Sequence, residues 1–190
     1  MKILILFGPP FSGKGTQGKI LAERLGYNHT STGDILRKEK ELNSKLGITA
    51  QEYSKKGLLV PDEFLEMLVE RELKVNSASK GIILDGYPRT ISQAETLLML
   101  TEKYQAEIQK VVFLLVDTQE LITRGIERGK TSNREDDKNP QVIEKRIEVY
   151  HTDTKPVAAF YAKMNLVVSL NGEGGIEQIT DRIIEEITSA

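Results

Sequence analysis

The 190-residue sequence contains no cysteine and only two histidines, His29 and His151. The lack of cysteine excludes disulfides and thiolate-bound metals, so no zinc site of that kind is expected. Two histidines are too few for a histidine-rich metal centre. A cysteine-free chain also fits a reducing compartment, and we expect a cytoplasmic protein.

Long hydrophobic runs are absent as well. No stretch approaches the roughly twenty apolar residues of a membrane-spanning helix, and the apolar run at 2–7 is too short for a signal peptide. The 26 basic and 28 acidic residues leave a net charge of −2, which gives no overall field for nucleic acid. We therefore expect neither a membrane nor a nucleic-acid partner.

Short apolar runs alternate along the chain with helical patterns, and its length suits one domain. This alternation predicts an α/β fold with a five-stranded parallel sheet covered by helices on both faces. Strands are predicted at residues 3–7, 27–30, 82–84, 111–116 and 166–170. Helices are predicted at residues 14–25, from 31 or 32, at 44–56, from 61, and at 91–104, 119–127, 141–163 and 176–188.

A glycine-rich segment, Gly8-Pro-Pro-Phe-Ser-Gly-Lys-Gly-Thr16, joins the first strand to the first helix. The spacing from Gly8 to Gly13-Lys14 is the P-loop pattern, and a strand before it and a helix after it are the context that this motif requires. Such a loop turns backbone N–H groups toward an anion at the positive helix N-terminus, and Lys14 adds a full charge. A ligand-free turn is the alternative, but it gives the lysine no reason to stand at that offset. The segment predicts a three-layer fold of the P-loop NTPase type.

Several arginines stand where predicted strands end or loops begin. The polar stretch 127–138 has no apolar anchor and predicts a lid that orders over a ligand. A single arginine is most often a solvated surface charge, but a set of them beside a P-loop indicates phosphoryl transfer, in which charge neutralisation carries much of the rate. The candidates are Arg37, Arg89, Arg128, Arg134 and Arg146.

Two further polar residues follow the third predicted strand. Asp85 ends that strand, and a carboxylate at the carboxyl end of a parallel strand can hold Mg²⁺, usually through water. The alternative for Asp85 is an Asx-type turn before Gly86. Gln93 lies one helical turn beyond Arg89 and could present its amide to a base edge, although a lone glutamine is a weak signal.

Taken together, these motifs resemble an adenylate kinase of the short-lid type, and the resemblance runs through the whole chain. No one motif is specific, but five in the same order are. The matching segments are Gly8–Thr16 with Gln17, Ser31-Thr-Gly-Asp-Ile-Leu-Arg37, Gly57-Leu-Leu-Val-Pro-Asp62, Asp85-Gly-Tyr-Pro-Arg-Thr90 with Gln93-Ala94, and Arg134-Glu-Asp-Asp137 with Arg146.

The resemblance implies two nucleotide sites. The ATP contacts it implies are Ser12, Gly13, Lys14, Gly15, Thr16, Arg124, Arg128 and Gly174. The AMP contacts are Thr32, Arg37, Leu58, Val60, Gly86, Arg89, Gln93, Arg134 and Arg146. The groups around the transferring phosphoryl are Lys14, Arg89, Arg128, Arg134 and Arg146. Asp85 would hold water molecules of a Mg²⁺ ion that binds with ATP.

The resemblance also implies the reversible reaction ATP + AMP = 2 ADP. The acceptor phosphate is largely deprotonated near neutral pH, so the reaction needs no general base. Short-lid relatives are often monomers, and we expect a monomer here. The implied organisation is a core at 1–30, 61–126 and 139–190, an NMP-binding insertion at 31–60 and a short lid at 127–138.

Two residues depart from the family pattern. Phe11 stands in the P-loop where the family usually has glycine, so either its side chain tolerates the backbone angles of the loop or the loop is rearranged. Tyr87 replaces the usual phenylalanine, which should matter little. A UMP/CMP kinase is the nearest alternative, but Thr32 and Gln93-Ala94 favour adenine. A non-catalytic nucleotide switch is another, and the arginine set disfavours it.

Overall fold

The computed structural model describes residues 1–132, 134 and 137–188. Residues 133, 135 and 136 of the predicted lid lie outside the described residues, and so do 189 and 190. The five described strands are parallel and stand in the order β2-β3-β1-β4-β5. They are β1 (Lys2–Phe7), β2 (Asn28–Ser31), β3 (Gly81–Asp85), β4 (Glu107–Leu115) and β5 (Val167–Asn171). The predicted α/β fold is confirmed.

Helices connect the strands, and two of them meet through a π-helical turn at Tyr150–Thr154. Within the described residues, no helix is both long enough and apolar enough to cross a membrane. The helices are α1 (Lys14–Leu25), α2 (Thr32–Glu41), α3 (Lys45–Lys55), α4 (Asp62–Val75), α5 (Ile91–Lys103), α6 (Thr118–Thr131), α7 (Pro140–Val149), α8 (Lys155–Ala162) and α9 (Ile176–Thr188).

The central strand β1 explains the three layers. Its side chains alternate between two cores, because successive residues of a strand point to opposite faces. Ile3 and Ile5 pack with residues of α4, α5 and α8, whereas Leu4 and Leu6 pack with Leu21 of α1 and residues of α9. All four β1 residues are at most 1% exposed. A continuous apolar run is therefore what a strand covered on both faces requires.

Three predicted elements differ from the structure by more than one residue. The fourth strand begins at Glu107, four residues before the predicted 111, because its polar start is held by partners: Gln109 accepts a hydrogen bond from Tyr27 and donates one to the Ile187 carbonyl. The predicted helix 119–127 continues to Thr131, so the predicted lid begins as helix α6. The predicted single helix 141–163 is interrupted by the π-helical turn.

Helices α2 and α3 form the predicted insertion between β2 and α4. Ser31 and Ser44 cap them, each accepting a hydrogen bond from a backbone N–H of the first turn, from Asp34 and Gly47 respectively. The two helices approach so closely at Gly47 that a Cβ there would lie 2.2 Å from the Glu39 carbonyl carbon. Only glycine allows this approach of the two helices.

Gly47→Ala is expected to loosen the contact between α2 and α3, since the added methyl group meets backbone that cannot rotate away. Overpacking of this kind costs about 1–3 kcal/mol. Urea unfolding and hydrogen exchange measure the loss, and exchange should rise first in α2 and α3. Gly33→Ala is the matched control, because its Cβ would meet only the flexible tip of Arg37 at 3.2 Å. Equal stability of the two variants would contradict the close approach.

Candidate active site

One cavity of about 1030 Å³ lies where the carboxyl ends of β1 and β3 face the α2–α3 insertion. Ligands of open parallel sheets bind at this end of the strands. Most of the residues predicted from the sequence line it. These are Gly13, Lys14, Gly15, Thr16, Thr32, Arg37, Leu58, Val60, Asp85, Gly86, Arg89, Arg124, Arg128, Arg134 and Arg146.

Lys14 begins helix α1 and folds back over the P-loop. Its Nζ donates hydrogen bonds to the carbonyl oxygens of Gly8 at 3.0 Å and Pro9 at 2.7 Å. Desolvation, reinforced by the neighbouring arginines and partly offset by Asp85, lowers the pKa of Lys14 to about 8. A lysine held this way is poised for an anion, because a bound phosphate would supply the counter-charge that the cavity wall lacks.

Phe11 has a backbone conformation that favours glycine. Its φ of 68° lies in the left-handed region, so the loop holds a phenylalanine at glycine-like backbone angles. The ring is only 8% exposed and packs with three apolar side chains of α6 and α7. These are Leu121, Ile143 and Ile147. Phe11, which departs from the family pattern, therefore forms part of the cavity wall.

Asp137 joins two of the predicted arginines. Its carboxylate accepts hydrogen bonds from Arg128 Nε at 2.7 Å and Nη2 at 2.8 Å, and from Arg146 Nη1 at 3.0 Å. The Asp137 side chain is fully buried. A buried carboxylate needs such charged partners. Asp137 ends one of the segments that match the family, but its role toward these arginines was not predicted.

A second carboxylate, Asp34, contacts one arginine of the predicted insertion and one of the predicted lid. It accepts a hydrogen bond from Arg37 and lies 3.7 Å from Arg134 Nη2. Desolvation and the charges of Arg37 and Arg128 lower the pKa of Arg134. Residues far apart in the sequence thus form one ion-pair network across the cavity mouth.

Arg89 and Thr32 meet at Gly86. The Gly86 carbonyl accepts hydrogen bonds from Arg89 Nε at 2.8 Å and from Thr32 Oγ1 at 3.0 Å. Desolvation and the charge of Arg146 lower the pKa of Arg89 to about 10. Among the described residues, no carboxylate forms a salt bridge with Arg89. Its charge therefore faces the cavity without a direct counter-ion.

Asp85 sits at the end of β3 beside the P-loop. Its Oδ2 lies 3.9 Å from Nε2 of His29, and a Cβ on Gly15 would lie 3.4 Å from the same oxygen. The carboxylate is thus next to the backbone that would surround a phosphate. Among the described residues, no group of three or more His, Cys, Asp or Glu is arranged to hold a metal. Asp85 would have to share any cation with a ligand and water.

Three predicted contacts do not line the cavity. Gln93 is fully buried: its amide nitrogen donates to Asp62 at 2.6 Å, and its oxygen accepts from the Arg89 backbone at 2.7 Å. Ser12 belongs to the P-loop but is only 1% exposed. Gly174 follows Gly172, whose carbonyl accepts a hydrogen bond from Arg124 Nη1 at 3.2 Å.

The chain is also similar in sequence to known proteins. The family model described as adenylate kinase matches residues 6–166. An adenylate kinase of Parabacteroides distasonis is 41% identical over 98% of this chain and 97% of its own length. Adenylate kinases of Hyphomonas neptunium, 41% identical over 95% of both chains, and Thermobifida fusca, 40% identical over 98% of both, are also similar.

The lowered pKa of Lys14 predicts how anion binding depends on pH. The protonated amine attracts phosphate, so affinity is full below a pH of about 8. Above it, affinity for inorganic tripolyphosphate should fall about tenfold per pH unit, because binding must first reprotonate the amine. Calorimetric titration from neutral to alkaline pH measures the slope. Lys14→Arg keeps its charge and should lack the slope; the same slope in that variant would contradict the assignment to Lys14.

Proposed function

Because the chain belongs to the adenylate kinase family, we propose that it catalyses the reversible transfer of a phosphoryl group from ATP to AMP, giving two ADP. One observation carries the proposal: a lysine and four arginines from separate parts of the chain face a single cavity. A protein that only bound one nucleotide would need the P-loop alone. The five groups proposed to act on the transferring phosphoryl, among the charged residues that line the cavity, are Lys14, Arg89, Arg128, Arg134 and Arg146.

The two nucleotides occupy opposite ends of this cavity. ATP places its β- and γ-phosphates on the P-loop at Gly13–Thr16, with Lys14 against the terminal phosphates and Arg124 against the base. The Ser12 and Gly174 backbones complete that site. AMP lies toward the insertion, its phosphate between Arg37 and Arg89. The remaining AMP contacts are Thr32, Leu58, Val60, Gly86 and Gln93.

The proposed reaction depends on positively charged side chains rather than on a general base. The acceptor is a phosphate oxygen that carries little proton near neutral pH, so no base has to remove one. Two anionic substrates must be held in line, and the transferring group must be stabilised as charge spreads over its oxygens. Arg128, Arg134 and Arg146 surround that group, and their charges are already oriented by Asp137 and Asp34 before substrate binds.

Substrate binding rearranges part of the site. Arg37 releases Asp34 for the AMP phosphate, and Gln93 exchanges Asp62 for the adenine edge. Residues 31–60 act as the NMP-binding insertion and 127–138 as a short lid, both moving against the core at 1–30, 61–126 and 139–190. Closure excludes water, which otherwise would compete with AMP for the phosphoryl group.

Asp85 is the residue that would hold Mg²⁺, through water. The ion prefers several waters with one or two carboxylates and substrate phosphates, and a lone carboxylate beside the P-loop fits that preference. When bound, Mg²⁺ neutralises phosphate charge. One chain supplies all the proposed contacts, so a monomer suffices. The cytoplasm, where both nucleotides are available, is the proposed location.

The test of the function measures ADP formation from ATP with AMP, CMP, UMP and GMP in parallel. We expect rapid ADP formation with AMP and a much lower rate with the other acceptors. A preference for CMP or UMP would instead identify a pyrimidine nucleotide kinase. ATP binding without any transfer would contradict the proposal in favour of a nucleotide switch.

Arg89→Ala should separate the two nucleotide sites. It removes a charge next to the AMP phosphate, so AMP affinity should fall by about 1.5–3 kcal/mol, the range of a hydrogen bond to a charged group, while ATP affinity changes little. Calorimetry with each nucleotide alone measures both. Arg124→Ala is the matched control and should weaken ATP rather than AMP. An equal loss of both affinities in Arg89→Ala would contradict the separate sites.

A further inference from the structure

We propose that Phe11 is a positioning residue, whose ring orients the guanidinium groups of Arg128 and Arg146 beside the P-loop. Nothing in the family pattern assigns this task, because that pattern has glycine at position 11. The inference rests on the proposed transfer reaction, in which both arginines surround the phosphoryl group. It specifies how this chain holds them.

The backbone at Phe11 gives the first argument. A bulky residue at φ 68° is strained, since its Cβ crowds the neighbouring carbonyl oxygen. Glycine would adopt the same loop conformation freely. A strained residue persists only where its surroundings fix it, and such residues cluster at functional sites. The side chain must therefore make contacts that offset the strain.

The ring gives the second argument. The Arg128 Cζ lies over it at 4.6 Å from the ring centroid, and the Arg146 Cζ at 5.2 Å. Both distances fall within the range of cation–π attraction. The ring attracts a guanidinium without offering it a polar acceptor atom, whereas a phosphate binds its N–H groups. Asp137 bonds both arginines at their N–H groups, so ring and carboxylate together restrict the orientation of each.

Helix α6 gives the third argument, because it leaves room for the ring. A Cβ at Gly125 would lie 3.2 Å from Cε2 and Cζ of Phe11 and 3.1 Å from Ile143 Cγ2. Glycine at 125 therefore complements phenylalanine at 11. The helices that hold the ring, α6 and α7, are also those that carry Arg128 and Arg146. The P-loop is thus coupled to both arginines through one side chain.

The first experiment compares the parent with Phe11→Leu, which keeps apolar bulk but has no aromatic face. We expect kcat for ADP formation to fall about tenfold, equivalent to about 1.4 kcal/mol, with the KM for ATP and for AMP nearly unchanged. A leucine variant with the parental kcat would overturn the proposal, since the ring would then only fill space.

Phenylalanine analogues with one, two and three ring fluorines, incorporated at position 11, test the same role should the leucine variant misfold. They keep the shape of the ring and weaken its negative face, so kcat should decrease stepwise. The ¹H–¹⁵N resonance of the Arg128 Nε–H group provides a readout without catalysis, and in Phe11→Leu it should lose its ring-current shift. A constant kcat across the series, or an unmoved resonance, would overturn the proposal.

Gly125→Ala tests the coupling from the other side. The methyl group displaces the ring, so kcat should fall several-fold in the parent but by less than about twofold in the Phe11→Leu background, as expected for residues in contact. Equal effects in both backgrounds would count against the proposal.

If the parent itself forms no ADP, the proposed transfer reaction is wrong. If the parent is active and only the variants behave otherwise, the role of Phe11 alone fails.

Discussion

The concentration of positive charge around one cavity is the constraint on which the rest of the site depends. Like charges held a few ångströms apart in a partly desolvated space repel each other strongly. The lowered pKa values of Lys14 and Arg89 express chiefly the cost of desolvation, to which repulsion by neighbouring arginines adds. A fold that keeps such a cluster gives up stability for function, because the charges find full compensation only when phosphates arrive.

Three devices hold the cluster together. Asp137 is fully buried and neutralises part of the charge of Arg128 and Arg146. Asp34 does the same for Arg37 and Arg134 at the mouth of the cavity. The third is the aromatic ring of Phe11 in the P-loop, which lies within cation–π distance of the guanidinium groups of Arg128 and Arg146. Each device orients an arginine in advance, and orientation in advance is what makes electrostatic stabilisation of a transition state effective.

The features that the sequence predicted are those with local signals. Buried strands are recognisable as apolar runs, and the P-loop by glycine and lysine at fixed spacing between a strand and a helix. The fold and most of the cavity lining were therefore predictable. The links between distant residues were not. Nothing local indicates that Gln93 bonds Asp62, or that Asp137 receives two arginines from different helices. The conformation of Phe11 could not be predicted for the same reason, because only tertiary contacts decide whether a strained side chain is held in place. The nucleotide roles of the lining residues remain predictions.

The thermal stability of Arg89→Met in phosphate-free buffer tests the central claim most directly. Methionine keeps the apolar stem and removes the charge, and the Gly86 carbonyl still accepts a hydrogen bond from Thr32. If the charge cluster strains the free protein, the variant melts above the parent, by about 2–4 °C for each 1 kcal/mol gained. The same variant should gain less stability than the parent when ATP and AMP are added. A variant that melts well below the parent without ligand would contradict the account, because Arg89 would then be part of what holds the fold together.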